Sequence, residues 1–212
     1  MAEASEVRLA RPGEGAAVAE LVARTHRFAT AIDSPLQAAV DAHGGLLRLD
    51  VADVPDGRGW CFGAYDRTDL VGVLYACTPV TFIQSFPFEH RDELVRSVIE
   101  IEILAVDEHR RQRGIATSLL RHAEDQFAEL GVRYIVAKVD ATATSTLRWY
   151  RHRNYMLTRD GEDLAIETSH GTAGLHAGEP TRWRLAVKAP HTTIVRRGAG
   201  LRSHLALAHE DS

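Results

Sequence analysis

The sequence predicts an α/β fold, and three stretches carry that reading. Residues 98–106, Val-Ile-Glu-Ile-Glu-Ile-Leu-Ala-Val, alternate like a half-exposed strand and run into a short charged turn that opens a helix. Along that helix Ile115, Leu119, Ala123, Phe127 and Leu130 recur at helical spacing as its buried side, and Gly131 suits a left-handed cap after the last turn. Residues 132–139 are dense in β-branched and aromatic side chains, as a buried central strand requires, and a second helix follows that carries Trp149 and Tyr150.

The turn after the first of these strands contains Arg111-Gln-Arg-Gly-Ile-Ala116, an R-x-x-G-x-A pattern. A helix start leaves backbone N–H groups without intrahelical partners and carries partial positive charge, so it suits an anion. Gly114 and Ala116 let a bulky anion approach the backbone, and Arg111 and Arg113 add mobile positive charge. That chemistry asks for a phosphate or pyrophosphate; the bland alternative is a helix cap beside surface arginines.

The segment resembles motif A of the GNAT superfamily of N-acetyltransferases, which holds the pyrophosphate of acetyl-coenzyme A. Downstream, Trp149-Tyr-Arg-His-Arg-Asn-Tyr155 resembles the family's L-Y-x-x-x-G-F motif, with Trp149, Asn154 and Tyr155 replacing Leu, Gly and Phe. Asn tolerates positive φ better than most residues and can stand in for Gly after a helix. Where the family often has Asn to contact the pantetheine arm, this chain has Ala143. The resemblance is most specific over residues 98–157. It implies a central mixed, mostly antiparallel sheet flanked by helices and splayed between the two strands at the cofactor site. It also implies an N-acetyltransferase domain over residues 1–188, leaving 189–212 as a C-terminal extension.

The other elements follow in chain order. Val7–Ala10 resembles the family's first edge strand. A helix after Pro12-Gly-Glu-Gly15 places Val18, Leu21, Val22 and Thr25 on one side. Ser34-Pro35 suits the start of a second helix running to about Ala42 and stopping at Gly44-Gly45. In the family these two helices roof the acceptor site. Residues 60–65 and 70–77 read as a hairpin turning at Asp66-Arg-Thr-Asp69, with partner numbers summing to 135. Cys61 then faces Leu74 and Cys77 faces Arg58, which disfavours a disulfide and leaves two core cysteines. Phe82, Phe86 and Phe88 are too close together for a simple loop; they fit core packing, an acceptor pocket or a subunit contact. Residues 161–180 read as a long Gly-rich connection between strands at 155–159 and 181–187. For 189–212 the expectation is a frayed tail or a short helix near Leu201–His209.

Composition fits one substantial core: 212 residues, 45% hydrophobic, net charge −4, which advertises no nucleic-acid surface. The first residues show neither a basic start nor an apolar run, and no uncharged stretch reaches membrane-spanning length. A cytoplasmic protein with no membrane partner is expected. The eleven histidines show no ligand spacing, and His109, His122 and His152 read as solvated, so no metal is expected.

Acetyl transfer to an amine needs a base, a polarised carbonyl and a proton for the departing thiolate. A free alkyl amine resembles Lys, with a pKa near ~10.4, and is almost wholly protonated at neutral pH. Alternation puts Glu100 and Glu102 on one strand face, opposite Ile99, Ile101 and Ile103. By resemblance Glu100 matches the glutamate base of histone acetyltransferases, and Glu100 with Glu102 matches the paired histidines of serotonin acetyltransferase. An ordinary polar face is the alternative, and either glutamate can be the base. The resemblance makes Tyr150 the general acid, against simple packing with Trp149. It makes main-chain groups around Leu104, Ala105 and Val106 partners for pantetheine. Arg111, Gln112, Arg113, Gly114, Ile115, Ala116 and Thr117 become the pyrophosphate cradle. The implied activity is direct transfer from acetyl-coenzyme A to a primary amine, on a small molecule or a protein, in a ternary complex. A non-catalytic acyl-CoA sensor is the alternative. Dimerisation is common in the family, and the sequence leaves it and the acceptor open.

Overall fold

A computed structural model of the chain describes residues 5–25, 33–49, 51–54, 56–179, 182–198 and 203–208. The fold is mixed α/β, with a central, mostly antiparallel sheet flanked by helices. By internal contacts the chain divides into two units, one formed by residues 1–50, 56–77 and 101–126, the other by 51–55, 78–100 and 127–212.

The first unit opens with β1 (Glu6–Leu9), α1 (Gly15–Thr25), α2 (Asp33–His43), β2 (Leu46–Arg48), β3 (Arg58–Asp66) and β4 (Asp69–Cys77). β1 and β4 pair antiparallel with β3, and β2 adds to β3 as well. α1 buries Val18, Leu21 and Val22, as its spacing predicts. Gly15 permits the close crossing of the two helices, because a Cβ there would lie 2.1 Å from the Gln37 carbonyl oxygen. α2 ends as expected at Gly44, whose φ is +73° and whose N–H returns to Val40 O at 2.8 Å. Glu14 fastens β1 to β3: it pairs with Arg8 at 2.7 Å and accepts from Tyr65 Oη at 2.5 Å. The Arg8 hydrogen bond, with the one from Tyr65, overcomes desolvation and holds the Glu14 carboxyl down to about 2.

The β3–β4 register corrects the sequence reading. Asp66↔Asp69 and Tyr65↔Leu70 keep the expected sum, but a β-bulge shifts the next pair to Ala64↔Gly72. Cys61 therefore faces Tyr75, and Cys77 faces Gly59. Val71 is the extra residue, and its carbonyl accepts the Asp107 N–H at 3.0 Å. Both cysteines are buried thiols, and burial pushes Cys61 up to about 12.

In the second unit, residues 80–97 form two short helices, α3 (Val80–Gln84) and α4 (Phe88–Ser97), where the sequence reading had placed none. Phe82 and Phe86 meet edge to face at 5.0 Å against the unit's core, while Phe88 is 65% exposed. β5 (Val98–Val106) begins in this unit and ends in the first; α5 (Ile115–Glu129) returns the chain. β6 (Tyr134–Asp140), α6 (Thr144–Arg151), β7 (Met156–Leu157) and β10 (Trp183–Lys188) follow, with β10 antiparallel between β6 and β7.

α5 buries Ile115, Leu119, Ala123 and Phe127 as predicted, but Leu130 is exposed. The helix stops one residue early in a Schellman motif: Gly131, at φ +74°, donates to Ala128 O at 3.0 Å, and Val132 donates to Phe127 O at 3.0 Å. That geometry buries Val132 and turns Leu130 outward.

Residues 161–180 are no structureless connection. They contain the antiparallel hairpin β8 (Asp163–Thr168) and β9 (Gly171–Leu175), with Leu164, Ile166, Ala173 and Leu175 buried at period two. The expected frayed tail or short helix is likewise replaced by strands β11 (Ile194–Arg197) and β12 (His204–Leu207). β12 adds parallel to the open edge of β8, and β11 pairs antiparallel with β12, completing a four-stranded sheet. The partners of β12 on β8 lie some forty residues away in sequence, so no local pattern announces that pairing.

Candidate active site

β5 realises the alternation read from sequence. Ile99, Ile101, Ile103 and Ala105 are buried, and Glu100, Glu102, Leu104 and Val106 occupy the more accessible face. Ala105 therefore sends its side chain into the core and leaves only its main chain for any ligand. Glu102 is exposed by surface area, yet enough protein surrounds it to desolvate the carboxylate. Burial raises its carboxyl above the usual carboxylate range, and a hydrogen bond from the Cys77 thiol pulls it part of the way back. Beside them, burial first, then charge at Cys77 and Glu102, pushes the Tyr75 phenol upward. Tyr75 and Cys77 are neighbours that the sequence reading missed. Cys77 read as a core residue, and the hydrogen bond of its thiol to Glu102 joins two strands whose pairing no local pattern announces.

β5 leads into the charged turn. Asp107 accepts from the His109 N–H at 2.9 Å and caps a 3₁₀ turn over Glu108–Arg110. Arg110 pairs with Asp66 at 2.7 Å, which leaves Arg111 and Arg113 as the exposed arginines closer to the helix start. Arg111 Nε reaches back to the Val106 carbonyl at 3.3 Å, tying the turn to the end of β5. Gln112 at φ +63° and Gly114 at φ +82° both take left-handed backbone, the conformation found in main-chain nests that bind anions. The Gly114 carbonyl accepts from Ser118 N at 2.9 Å, so Gly114 is the cap of α5. A Cβ on Gly114 would meet no atom within 4 Å; the space before the helix start is open. Ala116 and Thr117 lie half-buried in the first turn, and Ile115 is buried.

Gly72, on the bulged part of β4, seats that helix. A Cβ there would lie 2.8 Å from Ile115 Cγ2 and 3.0 Å from Leu119 Cδ1. The absence of a side chain at Gly72 thus sets how closely the start of α5, and the turn with it, approaches the strand.

Glu100 and Tyr150 belong to the second unit. Glu100 is half-buried, on the same side of β5 as Glu102. Tyr150 is 4% exposed, its ring edge to face with Trp149 at 4.9 Å and with Tyr155 at 5.0 Å. α6 ends as predicted: Asn154 takes φ +64°, its N–H donating to Arg151 O at 3.1 Å, and Tyr155 N donates to Tyr150 O at 3.2 Å. Ala143 occupies the cap position of α6 without a side-chain hydrogen bond. His109, His122 and His152 are exposed, and among the described residues no group of three His, Cys, Asp or Glu could hold a metal ion.

No curated protein matches the sequence. Solved structures do match the fold. A GNAT family acetyltransferase from Elizabethkingia anophelis with acetyl-CoA bound is 13% identical, with a TM-score of 0.54 over 88% of this chain and 99% of that one. An N-acetyltransferase from Staphylococcus aureus Mu50 is 14% identical, with a TM-score of 0.55 over 89% and 99%. NAA60 of Arabidopsis thaliana, in complex with a bisubstrate analogue, is 16% identical, with a TM-score of 0.55 over 87% and 98%. The sequence profile of the Acetyltransferase (GNAT) family matches residues 27–155, more than half of the chain. The protein is a member of the GNAT acetyltransferase family.

Proposed function

We propose that the protein transfers an acetyl group from acetyl-coenzyme A to a primary amine by direct attack in a ternary complex. The observation that carries this reading is the turn at the start of α5. There, two left-handed residues, an open approach at Gly114 and two exposed arginines form a cradle fit for a pyrophosphate. Gln112 to Thr117 would hold the phosphates through main-chain N–H groups, with Arg111 and Arg113 adding charge. Main-chain groups of Leu104, Ala105 and Val106 would hold the pantetheine arm. When bound, acetyl-coenzyme A supplies the thioester carbonyl that is attacked and the thiolate that leaves.

The chain's own residues handle the protons. Glu102, raised by burial, is suited to take the proton an ammonium acceptor must lose before its nitrogen attacks the carbonyl carbon. Glu100, on the same strand face, is the second candidate base. A main-chain N–H near Leu104 would donate to the carbonyl oxygen as charge develops. Tyr150 holds a phenolic proton for the thiolate as the C–S bond breaks, and regains it from water. The acceptor is an amine on a small molecule or a protein; the two carboxylates favour a cationic one.

The test is coenzyme A binding by calorimetry with Gly114→Asp, together with thiol release from acetyl-coenzyme A across a panel of amines, peptides and aminoglycosides. The variant should lose at least about tenfold in affinity, roughly 1.4 kcal/mol, and the panel should contain an amine that turns over. Undiminished affinity would place the phosphates elsewhere, and binding without turnover on any amine would make the protein an acyl-CoA sensor.

A further inference from the structure

The second unit holds a cavity of about 780 Å³ among the end of α6, β7, the end of β10 and the start of β11. No residue of the anion turn lines it. Five cationic side chains do: Arg151, Arg159, Arg184, Lys188 and Arg196. No carboxylate is among the lining residues. Leu147, Met156, Leu157 and Ile194 supply an apolar floor, and Thr192 and Thr193 add hydroxyls at the rim.

Part of this charge is framework. Arg196 grips Glu162 through Nε at 2.6 Å and Nη2 at 2.9 Å, and also donates to the Leu157 carbonyl at 2.8 Å. The Glu162 side chain is only 1% exposed. Burial opposes its charge, but Arg196, the Arg159 N–H and Ser203 outweigh that and hold its carboxyl low. The same carboxylate accepts the Arg159 N–H at 2.9 Å, so one buried anion fixes both the β11 wall and the segment carrying Arg159. Arg184 is paired with Asp160. Asp160 and Glu162 thus answer two of the five cations, while Arg151 and Arg159 stand exposed at the cavity. Among the described residues no carboxylate pairs with Arg151 or Arg159. Like charges gathered over an apolar floor repel one another until an anion joins them.

From this geometry we infer that the cavity binds a small amphiphilic anion, a phosphoryl or carboxylate head on an apolar body. Guanidinium groups favour such heads because their planar N–H pairs match two oxygens at once. The volume lies in the range that encloses a small molecule, and the apolar floor would be wasted on inorganic phosphate alone. β11 supplies Ile194 and Arg196, so the residues beyond 188 build one wall of the site. The site does not depend on the acetyl-transfer reading.

Calorimetric titration of the full chain with octyl phosphate tests it, with inorganic phosphate and octanol as half-ligands. Octyl phosphate should bind more tightly than either half. Arg151→Ala and Arg159→Ala, both at exposed positions, should each weaken it on the order of tenfold, and Arg159→Lys should recover part of the loss. Gly114→Asp should leave this binding intact. Circular dichroism shows whether each variant is folded. Wild-type affinity in the Arg151→Ala/Arg159→Ala double variant would overturn the proposal. So would loss in Gly114→Asp, which would put the anion at the turn, or the absence of binding by the wild type. Sedimentation with phosphatidylcholine vesicles containing phosphatidic acid, without binding of soluble octyl phosphate, would replace the small molecule with a lipid surface.

Discussion

The Tyr155 N–H closes on the Tyr150 carbonyl at 3.2 Å while the two rings meet edge to face at 5.0 Å. With the Asn154 N–H donating to Arg151 O at 3.1 Å, this bond makes a Schellman motif, and the ring contact that accompanies it helps fix the last turn of α6. The hinge of the motif is Asn154, at φ +64°. The proposed proton donor is therefore oriented by the residue that ends its helix.

Asn154→Gly should stabilise the protein by about 0.5–1 kcal/mol, because Gly takes positive φ at no steric cost. Asn154→Val should destabilise it by about 1–2 kcal/mol. Denaturant melts measure both, and equal stability of the three proteins would count against strain at this position. Ala143→Ser, which supplies the cap α6 lacks, should add about 0.5–2 kcal/mol.

Tyr150→Phe removes one oxygen and keeps the ring contacts with Trp149 and Tyr155. If Tyr150 protonates the thiolate, kcat should fall by about 10²–10⁴ with unchanged acetyl-coenzyme A affinity. Wild-type turnover, with chemistry shown to limit the rate, would remove Tyr150 from the mechanism.

Glu102→Gln should lower kcat/KM by about 10²–10⁴ below the pKa of the amine, with relief as free amine accumulates at higher pH. In the wild type, the acid limb governed by Glu102 should lie above the ordinary carboxylate value near ~4.3. The folded state holds the Glu102 proton more tightly than the unfolded chain does. Its contribution to stability is therefore fully present below the unfolded pKa and is lost as pH rises through the folded one. Glu102→Gln, which cannot ionise, should show a smaller loss of stability over that window in melts taken as a pH series. Parallel profiles for Glu102→Gln and wild type would shift the base to Glu100, and parallel profiles for both glutamine variants would leave the face without one.

Gly72→Ala should destabilise by about 1–3 kcal/mol, since the new methyl meets Ile115 and Leu119 at under or about 3 Å. It should also weaken coenzyme A by moving the start of α5. Adding Ile115→Val, which shortens the opposing side chain, should restore part of both losses. A thermal melt and a binding isotherm unchanged by Gly72→Ala would show that the helix start is not seated on this glycine.

Much of the site was legible along the chain because it rests on local backbone chemistry. Gly114, Gly131 and Asn154 all adopt the left-handed backbone their residue types allow, and β5 buries the isoleucines and spares the glutamates as period two requires. The tertiary structure alone decided the rest. A bulge at Ala64/Tyr65 moved Cys77 by one register position, and only the fold shows its thiol on Glu102 and the desolvation of that carboxylate. The hairpin over 163–175 carried a period-two signal, but its pairing with β12 did not, because a ladder depends on an open edge that another part of the chain must supply. Residue type and spacing determine φ, ψ and the buried face. Burial of a charge and the choice of a strand's partner are set by groups distant in sequence, and only folding brings those together.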